Sequence, residues 1–315
     1  MKDTPQVQAR AADPRLVHVF VTGAAGFIGW NLVRLLLVRG HRVSALVHSE
    51  ADAAKFGKIE RVVVGDVTRR GTYENAAKDA DAIVHLALPN IQTKYRVAYP
   101  TWCEGTRNLL AIAAERGMRA FVHASGAGGT YRHEPGAWVD ETTPEQPFTK
   151  PTRGRSETDA AVRAANGQNG MRTVILRPNV VYGRGGPFQK YFVDYMRRGR
   201  YRVVGDGTNY WGFLHVQDCA TAYALAVERA PGGETFLLAD DTPLTLREAS
   251  DVIADAHGFR RPGHVPPIVA SLVIGRAGVR LITESFRMRN MKAKERLGWT
   301  PVYPSFRDGL RAITA

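Results

Sequence analysis

Three glycines spaced three residues apart, Gly23-Ala24-Ala25-Gly26-Phe27-Ile28-Gly29, stand where an apolar run ends and a helical pattern begins. Leu16–Thr22 before them is apolar apart from His18 and the closing Thr22, as expected of a strand buried on both faces of a parallel sheet. After them Ile28, Leu32, Leu35, Leu36 and Val38 recur at helical spacing, and Gly40 ends the pattern. A strand that turns this tightly into a helix needs backbone no side chain obstructs. Few folds other than a β-α unit in a parallel sheet accept such a turn.

The same alternation continues downstream. Strands are expected at residues 42–48, 62–64, 82–87, 120–124 and 173–177, with helices near residues 106–116 and 157–166. Strands separated by helices in this way predict an α/β fold, a doubly wound parallel sheet of Rossmann type. Regularity falls away after Tyr182, where Gly183–Pro187 is rich in glycine and Pro231–Gly233 and 262–267 give further breaks. We therefore read residues 1–15 as a flexible tail and 16–182 as a dinucleotide-binding domain. Residues 183–315 form mainly a smaller substrate lobe, with segments returning to the first domain. In the glycine turn, Gly23 permits the tight bend, Gly26 admits a phosphate to the backbone, and Gly29 lets the helix close on the strand. The helix N-terminus favours the anion through its free N–H groups, so the turn predicts the pyrophosphate of NAD or NADP.

With Gly65-Asp66-Val67, His85-Leu86-Ala87, Leu176–Gly183 and Leu297-Gly-Trp-Thr-Pro301 in order behind it, the Gly-x-x-Gly-x-x-Gly spacing resembles the extended short-chain dehydrogenase/reductases. Within these it is most similar to the NAD-dependent epimerase/dehydratase group. The resemblance implies cofactor contacts at Gly23, Gly26, Phe27, Ile28 and Gly29. It also implies Asp66 and Val67 at the adenine, Leu86 and Ala87 along the channel, Pro178 as a further cofactor contact, and a homodimer. The second strand ends at His48, where an acid would bind the ribose hydroxyls of NAD. With no acid there, and His48, Arg42 and Lys55 available to a phosphate, NADP is preferred and NAD is the alternative.

Relatives that move hydride carry a Ser and a Tyr-x-x-x-Lys pair, the Tyr exchanging a proton and the Lys holding the nicotinamide ribose. No Tyr-x-x-x-Lys occurs in this chain. Anchored on Thr152 and Glu157, the alignment puts Thr149 on the Tyr and Arg153 on the Lys, with Ser125 and Gly126 on the Ser-Ser pair. Threonine has no accessible pKa near neutrality, and arginine holds charge without yielding a proton. Candidate catalytic residues are thus Ser125, Thr149, Arg153 and Tyr131, with His133, Lys150, Tyr182 and His215 as further groups bordering the cleft. Arg153 is also expected to hold the cofactor. Trp211 occupies the place where nucleotide-sugar epimerases have a diphosphate-binding Arg, which argues against a nucleotide sugar. Trp211, Phe188 and Phe192, with Tyr210, Tyr191 and Trp102, suggest an aromatic-lined substrate cleft.

The nine histidines show no metal-ligand spacing, so no metal is expected. Net charge is +13 with a pI near 10.0, but the arginines are scattered and lack interleaved aromatics. Neither a nucleic-acid nor a membrane partner is expected, and the late apolar stretch at residues 266–282 reads as a buried or amphipathic helix. Two cysteines, Cys103 and Cys219, suit a reducing cytoplasmic setting. The sequence thus points to an NAD(P)-dependent oxidoreductase or epimerase acting on a carbonyl or alcohol of a small, hydrophobic metabolite with a non-standard site. The alternative is a non-redox lyase, isomerase or assembly subunit that holds the dinucleotide structurally.

Overall fold

The computed structural model describes residues 16–89, 95–131, 134 and 136–314. The tail and His133 lie outside the described residues. In chain order the first half contains β1 (His18–Thr22), α1 (Phe27–Val38), β2 (Arg42–Val47), α2 (Glu50–Ala53), β3 (Arg61–Val64), α3 (Glu74–Lys78), β4 (Ala82–His85), α4 (Tyr95–Pro100), α5 (Thr106–Glu115), β5 (Ala120–Ala124), β6 (Trp138–Val139) and α6 (Lys150–Ala164). Then come β7 (Arg172–Pro178), β8 (Val180–Tyr182), α7 (Asp194–Arg197), β9 (Val203–Val204), β10 (Tyr210–Trp211), β11 (Phe213–His215), α8 (Val216–Arg229), β12 (Glu234–Leu238) and β13 (Leu244–Thr245). The chain closes with α9 (Leu246–His257), β14 (His264–Val265), α10 (Pro267–Thr283), β15 (Arg287–Met288), α11 (Met291–Leu297) and α12 (Phe306–Thr314).

Seven strands form one parallel sheet in the order β12-β7-β5-β4-β1-β2-β3. Its strands are apolar on both faces because helices cover both. Leu32, Leu36, Tyr223 and Leu297 from α1, α8 and α11 fill one side. Tyr73, Leu109, Ile112 and Val162 fill the other. The chain leaves β1 toward β2 on one side and returns to β4 on the other. The segments that leave the C-terminal ends of β1 and β4 therefore diverge to opposite faces, and a crevice opens there.

Residues beyond 182 contribute α8 and β12 to this sheet domain and build a smaller lobe from short paired strands and α9, α10 and α12. Phe188, Phe192, Phe213, Leu246, Ile253 and Phe306 pack as the lobe's own core, with Phe213 and Phe306 rings 4.2 Å apart. Helix α6 begins seven residues before the expected start at Glu157. Its first turn is closed by a capping box between Thr149 and Thr152, with Pro151 inside it. Helix α10 breaks at Gly275 (φ +73°), and its first two turns are exposed rather than buried: only Ala270 of the helix is buried.

Candidate functional site: a dinucleotide crevice and a polar recess

The glycine turn makes the crevice. Gly23 has φ +66°, and a Cβ there would meet the Leu86 backbone at 2.7 Å. A Cβ on Gly29 would stand 2.2 Å from the Gly23 carbonyl oxygen. Both positions therefore admit glycine alone, which brings α1 against β1 and points its N-terminal amides into the crevice. The cavity, about 400 Å³, is lined by Gly23, Gly26, His48, Val67, Leu86 and Ala87, with Leu46, Asp52 and Gly65 among its other walls. A cradle kept free of side chains, at the N-terminus of a helix and the switch point of the sheet, fits a dinucleotide diphosphate.

The remaining cofactor positions surround it in different ways. Phe27 turns its ring under the loop after β8, where a Cβ on Gly186 would lie 2.6 Å away, while Ile28 packs on the sheet core. The Asp66 carboxylate accepts from the Thr68 amide (2.8 Å) and hydroxyl, closing its own turn. His85, beneath the crevice, is fully buried between the hydroxyls of Thr22 (2.7 Å) and Thr106 (3.1 Å). Burial, helped by the neighbouring His123 ring, pushes its pKa well below the usual histidine range, so it is a neutral structural link.

Farther along the same sheet edge, β5 and β7 meet α6. Here the Thr149 hydroxyl accepts from the Thr152 amide and caps the helix, and Arg153 projects to the surface. The cation that reaches the end of β5 is instead Arg155, two residues farther on. Its guanidinium donates to the Gly128 carbonyl and the Thr130 hydroxyl, and a Cβ on Gly126 would stand 2.7 Å from Nη1. Burial lowers its pKa to about 10 against the pull of Asp159. Sequence reasoning missed Arg155 because it fixed the register on Thr152 and Glu157. The helix start at Thr149-x-Pro-Thr, a legible capping signal, shows which residues lie one and two turns inside.

Below this loop sits a buried cluster. Ser125 donates to Asp159 (2.7 Å), which also receives Arg177 Nη2 (2.6 Å) and Nε (3.1 Å) and lies 3.4 Å from the His123 ring. Burial alone would raise the Asp159 pKa, but the His123 and Arg177 contacts outweigh it and bring it to about 2. Arg177 donates further to the Tyr131 hydroxyl (2.5 Å) and pairs with Glu145 (2.9 Å). Ser125 and Tyr131 are thus engaged in holding β5, β7 and α6 together. The Pro178 carbonyl receives the Ala127 amide.

A recess of about 510 Å³ opens beside the loop and is lined by Tyr131, Phe148, Arg153, Arg280 and Glu284, with Gln146 and Pro147. Arg280 lies over the Phe148 ring at 4.0 Å. Glu284 is half-buried, with Oε2 lacking a hydrogen-bond partner among the described residues. Burial pushes its pKa up to about 7, against the opposing effects of Arg280, the Gly129 amide and Arg155. No sequence motif marks Glu284; only the return of α10 to the loop after β5 brings it here.

The expected aromatic cleft takes another form. Phe188 and Phe192 are buried in the lobe core, because their helix must cover Tyr182 and Phe306. Trp211 packs edge-on to Phe192, and its indole donates to the Ile282 carbonyl. The substrate-side wall formed by the recess is polar. Tyr182 is buried among Phe188, Phe213 and Phe306, and the His215 ring accepts from the Gln217 amide at the start of α8. Lys150 opens α6. Among the described residues no cluster of His, Cys, Asp and Glu could hold a metal ion.

Comparison with known proteins agrees with this geometry. The sequence profile of the NAD dependent epimerase/dehydratase family matches residues 19–239. A 4-hydroxy-2-methyl-3-oxo-4-farnesyl-3,4-dihydroquinoline-1-oxide ketoreductase of Stigmatella aurantiaca is 30% identical over 256 residues, 79% of this chain and 76% of its own. A 2-alkyl-3-oxoalkanoate reductase of Stenotrophomonas maltophilia is 30% identical over 259 residues, covering 78% and 77%. The crystal structure of a dTDP-glucose 4,6-dehydratase from Streptomyces venezuelae, with NAD and TYD bound, superposes with a TM-score of 0.80 at 26% identity, covering 94% of this chain and 95% of that one. The relatives are reductases, dehydrogenases, epimerases and dehydratases, and structural neighbours hold NAD. By fold, glycine cradle and sequence, the chain belongs to the NAD-dependent epimerase/dehydratase family of the extended short-chain dehydrogenase/reductases.

Proposed function

We propose that the chain is an NAD(P)-dependent reductase or dehydrogenase of a small carbonyl or alcohol compound, with Glu284 in the proton-exchanging place that tyrosine usually occupies. The observation that carries this reading is a carboxyl whose buried Oε2 has no hydrogen-bond partner among the described residues, poised near neutrality in a recess beside the loop that ends β5. The residues of the glycine cradle would hold the dinucleotide, which when bound would supply hydride to a carbonyl carbon or take it up in reverse. On this reading Arg155 holds the nicotinamide-ribose side, since its charge cannot be lost at working pH. The Glu284 carboxyl gives its proton to the oxygen left negative by hydride addition, yielding the alcohol. Arg153 and Arg280 orient the substrate at the recess mouth.

In the reducing direction Glu284 acts protonated, so turnover holds below about pH 7 and declines as pH rises through that value. Glu284→Gln should lower kcat roughly a hundredfold or more and remove that limb, with dinucleotide affinity unchanged. An unaltered pH profile in the variant sinks the assignment.

We also propose NADP as the preferred cofactor. His48 lines the adenosine end, and the acid among the cavity's lining residues, Asp52, is paired with Lys55 at 2.6 Å. Titration should give tighter binding for NADPH than for NADH, and His48→Asp should reverse the order. Tighter NADH binding by the unmodified protein rejects the preference.

A second reading is supported by the engagement of Ser125 with Asp159 and of Thr149 in the helix cap. With both hydroxyls occupied, the dinucleotide would serve structurally in a non-redox isomerase or lyase. Cofactor absorbance that cycles during turnover excludes that reading.

A further inference from the structure

The first two turns of α10 expose a two-turn apolar ridge that nothing among the described residues covers. Ile268, Leu272 and Val273 are 78%, 85% and 86% exposed, and Val269 and Ile274 flank them. Residues 268, 269, 272 and 273 share one helical face, and Gly275 ends this segment by breaking the helix. Scattered exposed leucines are ordinary, but adjacent side chains this open on one face mark a surface with a partner.

Charge around the ridge indicates which partner. Between Asp255 and Glu284 the sequence has no acidic residue but carries Arg260, Arg261, Arg276 and Arg280. Arg261 is paired with Asp255 and Arg280 is stacked on Phe148, whereas Arg260 and Arg276 form no ion pair among the described residues. The strand leading into α10 pairs with β9, which places Arg202 beside the same segment; Arg197, Arg202, Arg260 and Arg261 line one shallow recess there. The whole chain carries a net charge of +13. Arg197 and Arg261 are held by Asp194 and Asp255, but Arg202, Arg260, Arg276 and Arg280 are outside any ion pair among the described residues. An apolar ridge beside these cations complements an anionic lipid surface, into which apolar side chains insert while cations meet headgroups. A second copy of this chain would instead bring like charges together.

We propose that residues 267–274 dock this protein peripherally on anionic bilayers, the ridge entering the headgroup boundary and the surrounding arginines binding phosphate. The association is interfacial: no helix among the described residues is long and apolar enough to cross a membrane. It departs from the expectation of no membrane partner, which rested on scattered arginines and on the absence of a span. The second half of the same helix carries Arg280, and Glu284 lies just beyond its end, so the docked segment is continuous with the wall of the polar recess.

The test is sedimentation of the full chain with phosphatidylcholine vesicles, with and without roughly a third phosphatidylserine. Binding should require the anionic lipid and weaken as salt rises, because exposed charges are screened. Leu272→Asp/Val273→Asp should reduce binding at least about tenfold. Both side chains are exposed and neither lines the crevice, so unchanged dinucleotide affinity in the variant verifies its fold. Absence of pelleting with anionic vesicles, pelleting undiminished in the double variant, or equal pelleting with neutral vesicles overturns the proposal. So does a self-association that the double variant abolishes in a protein that ignores lipid.

Discussion

Gly29→Ala should abolish measurable dinucleotide binding and lower stability, although it adds one methyl group at the start of a helix. That methyl would be built 2.2 Å from the Gly23 carbonyl oxygen and 2.9 Å from the Gly23 carbon and the Ala24 Cα. All three are backbone atoms of the turn, so no rotamer change relieves the overlap. Helix α1 must move away from β1, and its N-terminal amides leave the place where the diphosphate is to sit. A shift of this kind costs about 1–3 kcal/mol of packing. Cofactor affinity should fall more, at least about a hundredfold, since each lost 1.4 kcal/mol is a factor of ten. Gly71→Ala is the control: a Cβ there meets nothing within 4 Å, so both quantities should stay within experimental error. Fluorescence titration with NADPH and a urea melt read the two effects. Retained affinity in Gly29→Ala would mean that the crevice is not the dinucleotide site.

This part of the molecule was legible because its causes are local. Gly23, Gly26 and Gly29 sit within seven residues, and the strand before them is largely apolar because both sheet faces are covered. The far end was legible only in outline. The register of α6 depends on where its cap falls, and Thr149, read as a tyrosine substitute, proved to be that cap. Arg153 and Arg155 look alike in sequence, but two residues turn a helix by more than half a revolution. One therefore faces solvent and the other the end of β5. Phe188 and Phe192 carried the composition of a cleft wall, yet a small lobe needs a core of its own, and they form it. Glu284 and Asp159 left no periodic or motif signal, because their importance comes from elements joined by long-range packing.

Asp159 is the position where one changed atom should cost most stability. Its carboxylate lies at 1% exposure beneath the site and receives Ser125, Arg177 Nε and Arg177 Nη2, so α6 is tied to β5 and β7 through one group. Asp159→Asn keeps the volume but removes the charge, leaving the equally buried Arg177 with only Glu145 at the edge. Breaking a buried pair from one side costs about 3–5 kcal/mol, because the remaining charge stays desolvated. Replacing both members, as in Asp159→Leu/Arg177→Met, should recover much of that loss, since no uncompensated charge remains. The pH dependence has a definite sign. The folded carboxyl titrates near 2, below the unfolded value of about 3.9. The folded state therefore binds fewer protons across that interval. The contribution of Asp159 is fully present above about pH 4 and is lost as pH falls toward 2, an effect of order 2 kcal/mol. Denaturant midpoints from pH 7 down to 3 should converge for the parent and Asp159→Asn, because acid neutralises in one what substitution neutralised in the other. A constant gap between the two across that range, or a loss below about 1 kcal/mol at pH 7, would show that Asp159 does not hold α6 to the sheet through its charge.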